Sequence, residues 1–374
     1  MRILIAAGGT AGHINPALAI AGAMQKRHPG AEIHFAGRRG GMEYGLVAKA
    51  GYAFHPIEVN GIQRRLTPKN MVRNAVALYH LALSAPRANA ILKEVQPELV
   101  IGAGGYVSGP VVRAAAQKGI RTAIHEQNAF PGVTNKLLAK HADLVFAAMP
   151  DAVPRLGVPE KTTVTGNPVR EEMFCQNRPA ARRALGVRDG QIVIISFGGS
   201  LGAQVLGERV AELAVWELAN RDFLHIHATG SIEKVDFAAL AARLGIDGSP
   251  RFVIREYIDN MPQLLAAADL VISRAGALTL AEIAAVGRAS VLIPSPNVAE
   301  NHQYHNALQL QKLGAAVVVE EKDLTGEGLI EIVDRLTRDA AGLMEMGMKA
   351  RALAQPDSLQ KICAQLDKLL ENTP

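Results

Sequence analysis

The chain has 374 residues, 49% hydrophobic and 20% charged, which suits two globular domains with cores of their own and excludes a peptide, a stapled mini-protein or a disordered chain. The 40 Lys and Arg exceed the 35 Asp and Glu by 5 charges, a mild basic excess that suits anionic ligands or an anionic membrane surface and is too small to argue for nucleic acid. Cys175 and Cys363 lie far apart without metal-type spacing and read as reduced thiols.

The opening residues 1–8 form an apolar run too short for a signal peptide and read as a first strand, and no run of about 18 apolar residues suggests a membrane span. Short apolar runs then alternate with helical stretches, the βαβ pattern of parallel sheets covered on both faces. Strands are expected near 3–7, 32–36, 99–102, 122–125 and 144–147, then near 192–197, 224–229, 252–255, 270–273, 290–293 and 315–319. Residues 346–370 read as helix. Both halves look doubly wound. Thr165-Gly166-Asn167-Pro168-Val169-Arg170 stops the preceding strand and sets the expected domains at 1–165 and 166–344, with a terminal helix of about 345–374 packing back on the first. Two such domains would take a ligand in a cleft between them, outside the carboxyl ends of their strands.

The first loop, Gly8-Gly9-Thr10-Ala11-Gly12-His13, follows a strand and precedes the apolar helix from Ala17. Its glycines permit close backbone approach, and a helix start favours an anion, although glycines also simply make such turns. His13 adds an imidazole suited to proton transfer near neutrality; its plain alternative is a helix-start residue bonding its own loop. A dinucleotide fingerprint fits poorly: the glycines fall at 8, 9 and 12, and the second strand ends at Gly37-Arg38-Arg39 without an acid. Arg38 suits a 2′-phosphate, which keeps a reductase with the phosphorylated nicotinamide cofactor as an alternative.

Arg64, Arg65, Lys69 and Arg73 surround Met71, Val72, Val76, Leu78, Tyr79 and Leu83, a basic rim on an apolar face that suits either a core helix or an interfacial membrane helix. Gly104-Gly105-Tyr106-Val107-Ser108-Gly109-Pro110 is a second strand-ending glycine loop, read either as close approach to an anionic ligand or as tight packing. Gly198-Gly199-Ser200-Leu201-Gly202 is the third, and Ser200 there can cap the next helix and donate to a phosphate. Glu282, in the first turns of the helix after Ser273-Arg274-Ala275-Gly276, can accept from a vicinal diol such as ribose or simply favour a helix start. Residues 300–306, Glu-Asn-His-Gln-Tyr-His-Asn, look too polar for core. No metal motif accompanies these loops, so neither metal nor cofactor is expected.

As an ordered set, these glycine loops, together with His125-Glu126-Gln127-Asn128, Gly166-Asn167-Pro168-Val169-Arg170, Gly276-Ala277-Leu278-Thr279 with Glu282, and Gln303-Tyr304-x-Asn306-Ala307, resemble the MurG family. These are UDP-N-acetylglucosamine:lipid I N-acetylglucosaminyltransferases of bacterial peptidoglycan synthesis. The resemblance implies a GT-B fold of two Rossmann-like domains and transfer to the C4 hydroxyl of the N-acetylmuramyl residue, giving lipid II. It implies donor contacts at Thr10, Ala11, Gly12, Asn128, Arg170, Ser200, Ile258, Ala277, Leu278, Thr279, Leu280, Ala281, Glu282 and Gln303, and acceptor contacts at Gly104, Gly105 and Tyr106. His13 would be the catalytic base. Peripheral contact with the anionic cytoplasmic face of the inner membrane and with other cell-wall synthesis proteins also follows from the resemblance. The family usually has Thr-Gly-Gly-His where this chain has Thr10-Ala11-Gly12-His13, so Ala11 must need no positive φ. Rival readings are a UDP-N-acetylglucosamine 2-epimerase of related fold, the reductase, and a non-catalytic nucleotide-sugar sensor.

Overall fold

The computed structural model describes residues 1–59, 68–231, 234–298 and 301–371. They form two compact units, Met1–Pro168 with the chain from Asp357 onward, and Val169–Pro356.

The first unit is a seven-stranded parallel sheet of β1 (Arg2–Ala6), β2 (Glu32–Gly37), β3 (Ala53–Pro56), β4 (Leu99–Gly102), β5 (Arg121–Glu126), β6 (Leu144–Ala147) and β7 (Thr162–Val164), in the order β3-β2-β1-β4-β5-β6-β7. Its helices are α1 (Ala11–Arg27), α2 (Met42–Lys49), α3 (Pro68–Val95), α4 (Ser108–Gln117), α5 (Val133–Ala139) and α6 (Ala152–Leu156). Ile3, Leu4 and Ile5 are all fully buried, because helices cover both faces of a parallel sheet and leave no solvated side. Strand order reverses between β1 and β4, which makes the ends of those two strands the switch point where open α/β sheets take ligands.

The second unit begins with α7 (Arg178–Ala184). It continues through β8 (Val193–Phe197), α8 (Gln204–Asn220), β9 (Leu224–Ala228), α9 (Lys234–Leu244), β10 (Phe252–Arg255), α10 (Met261–Ala267), β11 (Leu270–Ser273), α11 (Ala277–Val286), β12 (Ala289–Leu292), α12 (His302–Lys312), β13 (Val317–Val318), α13 (Gly326–Arg338) and α14 (Ala340–Arg351). The six strands run parallel in the order β10-β9-β8-β11-β12-β13, with the reversal between β8 and β11.

The expected single terminal helix is in fact two. α14 packs on α11 and β12 of the second unit, whereas α15 (Ser358–Glu371) packs on α1 and buries Leu359, Ile362, Cys363 and Leu366 with Ile3, Ile5 and Phe35 of the first. β3 and β7 are additional strands, and β13 is shorter than the expected 315–319. Of the basic-rimmed apolar stretch, Arg64 and Arg65 lie outside the described residues. Positions 69–79 fall within α3 with side chains also outside the description, and Leu83 is exposed. Among the described residues no helix is long and apolar enough to cross a membrane.

Candidate active site

Ala6 of β1 lies opposite Gly102 of β4, so the loops that follow both strands leave the first sheet at one level. α1 begins at Ala11 with exposed Thr10 as its N-cap, which places Ala11, Gly12 and His13 in the first helical turn and corrects the expectation of a loop through His13. The left-handed residue is Gly9 (φ +94°), so the methyl of Ala11 sits on ordinary helical backbone. The half-buried His13 ring reaches another loop rather than its own, with Nδ1 3.1 Å from Oε1 of Gln127.

Gly104 (φ +100°) and Gly105 (φ +79°) close on this turn. A Cβ on Gly104 would lie 2.4 Å from His13 Nδ1, and one on Gly105 would lie 2.2 Å from the Gly8 carbonyl oxygen. Packing of one loop on the other therefore accounts for both glycines, where the sequence had also allowed approach to an anionic ligand. Ser108 Oγ accepts from Gly104 N–H (3.1 Å) and lies 2.8 Å from the Ala6 and Gly104 carbonyls, pinning the loop. Tyr106, 54% exposed, is the large side chain that this loop presents outward.

Two buried carboxylates brace these loops: Glu43, which went unremarked in the sequence, and Glu126, which stood there only as part of a motif. Glu43 of α2 accepts from Gly9 N–H (3.4 Å) and Arg38 N–H (2.9 Å), and an acid at the amide of the glycine turn disfavours a pyrophosphate there. Arg38 also pairs with Glu58 at 3.4 Å, which weakens the reductase reading further. Glu126 takes Asn128 N–H (2.9 Å) and Nδ2 (3.1 Å) on one oxygen, and Gly132 N–H (3.2 Å) and Asn135 Nδ2 (2.9 Å) on the other. That clasp holds the loop which carries Gln127 and Asn128. The motif signalled importance here, but only the fold shows the direction of each side chain.

In the second unit Phe197 lies opposite Ser273, so the loops after β8 and β11 also start level. A Cβ on Gly198 would lie 2.5 Å from Ala203 N and one on Gly230 2.3 Å from Gly202 N, whereas Gly199 (φ +97°) faces open space. α8 starts at Gln204 with Ala203 as its N-cap and no side-chain bond, so Ser200 does not cap it, contrary to expectation; Leu201 to Ala203 intervene. Its carbonyl instead accepts from Ser231 N–H at 3.2 Å.

Ala277, Leu278 and Thr279 open α11 after Gly276, at the positive end of the helix. Leu280 and Ala281 lead to Glu282, which is 8% exposed. Burial pushes its carboxyl up to about 7, against the pull of Arg170. Half-buried Arg170 keeps a buried Nε without a hydrogen-bond partner. Ile258 is buried with Leu278 and Leu280 in one core cluster. Arg274 bonds the carbonyls of Ile293 and Pro294 (3.3 Å each) and pairs with Glu321, bracing the end of β12. Gln303 Oε1 accepts from Ser295 N–H at 2.9 Å. Glu300 lies outside the described residues, and Asn306 is fully buried, so that part of the polar cluster is core after all. Among the described residues no group of three or more His, Cys, Asp or Glu could hold a metal ion.

The glycosyltransferase family 28 N-terminal domain model matches residues 3–147, and the family 28 C-terminal domain model matches residues 193–362. A UDP-N-acetylglucosamine--N-acetylmuramyl-(pentapeptide) pyrophosphoryl-undecaprenol N-acetylglucosamine transferase of Acetivibrio thermocellus is 40% identical over 100% of this chain and 99% of its own length. A namesake from Desulforamulus reducens is 40% identical over 99% of both chains. The crystal structure of Acinetobacter baumannii MurG superposes with a TM-score of 0.71 at 29% identity, covering 98% of this chain and 99% of that one.

The chain belongs to the MurG family. Its fold class is GT-B, with two parallel α/β units. A UDP-GlcNAc 2-epimerase from Neisseria meningitidis shares the fold at TM-score 0.65 and 14% identity, covering 98% of this chain and 100% of that one. At that identity the likeness shows the fold alone.

Proposed function

We propose that the chain moves N-acetylglucosamine from UDP-N-acetylglucosamine to the C4 hydroxyl of the N-acetylmuramyl residue of undecaprenyl-diphosphate-linked lipid I, with inversion, giving lipid II and UDP. The 40% identity over full length with relatives named for this transfer carries the reading. The rival epimerase rests on fold likeness at 14% identity.

Inverting transfer needs a base at the attacking hydroxyl and charge stabilisation at the departing diphosphate, through an oxocarbenium-like transition state. His13 takes the hydroxyl proton. Ser200, the α11 helix start and Arg170 stabilise charge developing on UDP, and Glu282 accepts from the ribose hydroxyls. In the second unit Ile258, Ala277 to Ala281 and Gln303 are further donor contacts; in the first, Thr10, Ala11, Gly12 and Asn128 contact the donor, while Gly104, Gly105 and Tyr106 border the acceptor. The enzyme works at the cytoplasmic face of the inner membrane. Exposed Val133 and Leu137, one helical turn apart on α5 beside Lys136 and Lys140, suit contact with an anionic surface. Sedimentation with anionic vesicles, weakened by Val133→Glu with Leu137→Glu, is the expected signature; unchanged sedimentation would discard this contact.

The reaction itself is tested by UDP release from UDP-N-acetylglucosamine with and without a short-chain lipid I analogue, with the product identified by mass. Acceptor-dependent release with one added N-acetylhexosamine is expected. Folded protein that binds UDP and releases none with acceptor present would move the assignment to the epimerase or the sensor.

A further inference from the structure

A general base on an imidazole needs one particular nitrogen unprotonated, and the hydrogen bond at the other nitrogen decides which. In this chain that bond leads into a buried line of groups. Gln127, 2% exposed, follows β5; its Oε1 lies 3.1 Å from His13 Nδ1, and its Nε2 lies 2.8 Å from the Ala103 carbonyl and 3.2 Å from His125 Nδ1. His125 is fully buried, and its Nε2 lies 3.2 Å from the Gly166 carbonyl.

These contacts allow one arrangement of protons. A carbonyl only accepts, so Gly166 requires a hydrogen on His125 Nε2 and Ala103 requires the Gln127 amide nitrogen on its side. The reversed amide would set Oε1 against the Ala103 carbonyl and leave two acceptors 2.8 Å apart. Burial pushes His125 down to about 4, so at neutral pH it holds a single proton, on Nε2, and its Nδ1 (3.2 Å) and carbonyl (3.4 Å) are the acceptors for the second Gln127 N–H. Oε1 is then left facing His13 as a pure acceptor. His13 must donate from Nδ1, which in the neutral ring leaves Nε2 with its lone pair.

The line is anchored at its far end. Gly166 O also accepts from Ser358 Oγ (3.1 Å) and Thr165 Oγ1 (3.1 Å), and the Gln127 carbonyl accepts from Asn167 Nδ2 (3.2 Å). Rotating the Gln127 amide would break two of its own bonds and the His13 bond together.

We infer that Gln127 is the positioning residue that fixes the tautomer of His13, holding the proton on Nδ1 and presenting Nε2 as the basic nitrogen. The inference rests on the reading of His13 as the base, and the two are separable by experiment. Nitrogen-15 NMR of histidine-labelled protein reads the tautomer directly: the expected wild-type signature is a protonated Nδ1 and an unprotonated Nε2 on His13. A wild-type His13 protonated on Nε2 would overturn the inference without any variant.

Gln127→Met keeps the volume and removes the acceptor. It should shift His13 toward the Nε2–H form and lower kcat by about 10- to 100-fold, the range typical of groups that orient a functional imidazole, with donor KM changed less than about threefold. If Gln127→Met lowers kcat while His13 keeps its Nδ1 proton, the role of Gln127 is structural and the inference fails. An unchanged kcat together with an unchanged tautomer refutes it as well. If His13→Ala keeps wild-type kcat, the base assignment fails instead, whatever the tautomer.

Discussion

Two lines of hydrogen-bonded histidines run through this protein, one in each unit, and they differ in where they end. In the first unit, Gly166, His125 and Gln127 lead to half-buried His13 at the switch point of the sheet. In the second, Glu217 Oε2 bonds His225 Nδ1 (2.8 Å), His225 Nε2 meets Ser196 Oγ (2.7 Å), and the same Oγ meets His227 Nδ1 (2.7 Å). Its order of acid, imidazole and hydroxyl is that of a hydrolase triad. Yet every member is at most 3% exposed, and His227 packs against Phe237 at 4.5 Å between ring centres. A triad with no reachable end has nothing to act on. Its geometry serves the core, and function is read from the line that opens outward.

The sharpest break between the two lines should come from His13→Ala, which is expected to lower kcat by about 10²- to 10⁴-fold with donor KM largely kept. Initial rates at saturating donor check it.

Acid unfolding should act on the closed ends of both lines. Burial holds His227 down to about 3 and His125 to about 4, whereas an unfolded histidine titrates near 6.5. Between those values the unfolded chain binds protons that the folded chain does not. Stability is therefore fully present above about pH 6.5 and is lost as pH falls toward 4 and 3, by up to about 1.4 kcal/mol per pH unit for each group. Urea midpoints from pH 7 to pH 5 should fall. His227→Gln should flatten the slope, and an unchanged slope would show that His227 does not titrate as described.

Ser196→Ala strips the shared hydroxyl from two buried imidazoles and should cost about 1–3 kcal/mol of stability. Its kcat per folded molecule should stay within about twofold of wild type. A loss of kcat comparable to that of His13→Ala would erase the distinction between the lines.

The smallest expected effect concerns the donor. In the proposed donor site the Glu282 carboxyl, raised to about 7, accepts from both ribose hydroxyls on its two oxygens only when ionised, so donor affinity should weaken by up to about tenfold from pH 8 to pH 6. Calorimetric titration with UDP-N-acetylglucosamine checks this, and Glu282→Gln should bind more weakly with that pH dependence gone.

The central apolar strands were legible because burial on both faces leaves an unbroken apolar run: 99–102, 144–147 and 270–273 coincide with β4, β6 and β11. β3 and β7 were not, since Ala-Phe-His-Pro and Thr-Thr-Val are edge segments with largely half-buried or exposed side chains and no such run. The break between α14 and α15 did leave a trace in Pro356-Asp357-Ser358, a helix stop followed by residues that favour helix starts. Glycine loops were visible, but not what each glycine faces. Gly9 meets open space while Gly104 meets His13, and only the packing of β4 beside β1 decides that. Gln127 stood in plain view between Glu126 and Asn128. Its direction depends on the Ala103 carbonyl, which comes from the loop after a different strand, β4.

The most direct test of His13 as the base is chemical rescue. His13→Ala is assayed for transfer from UDP-N-acetylglucosamine to a lipid I analogue with increasing imidazole and related small bases. The expected result is a low basal rate that climbs with free-base concentration and more steeply for stronger bases. A His13→Ala enzyme that turns over at the wild-type rate without added base would contradict the assignment.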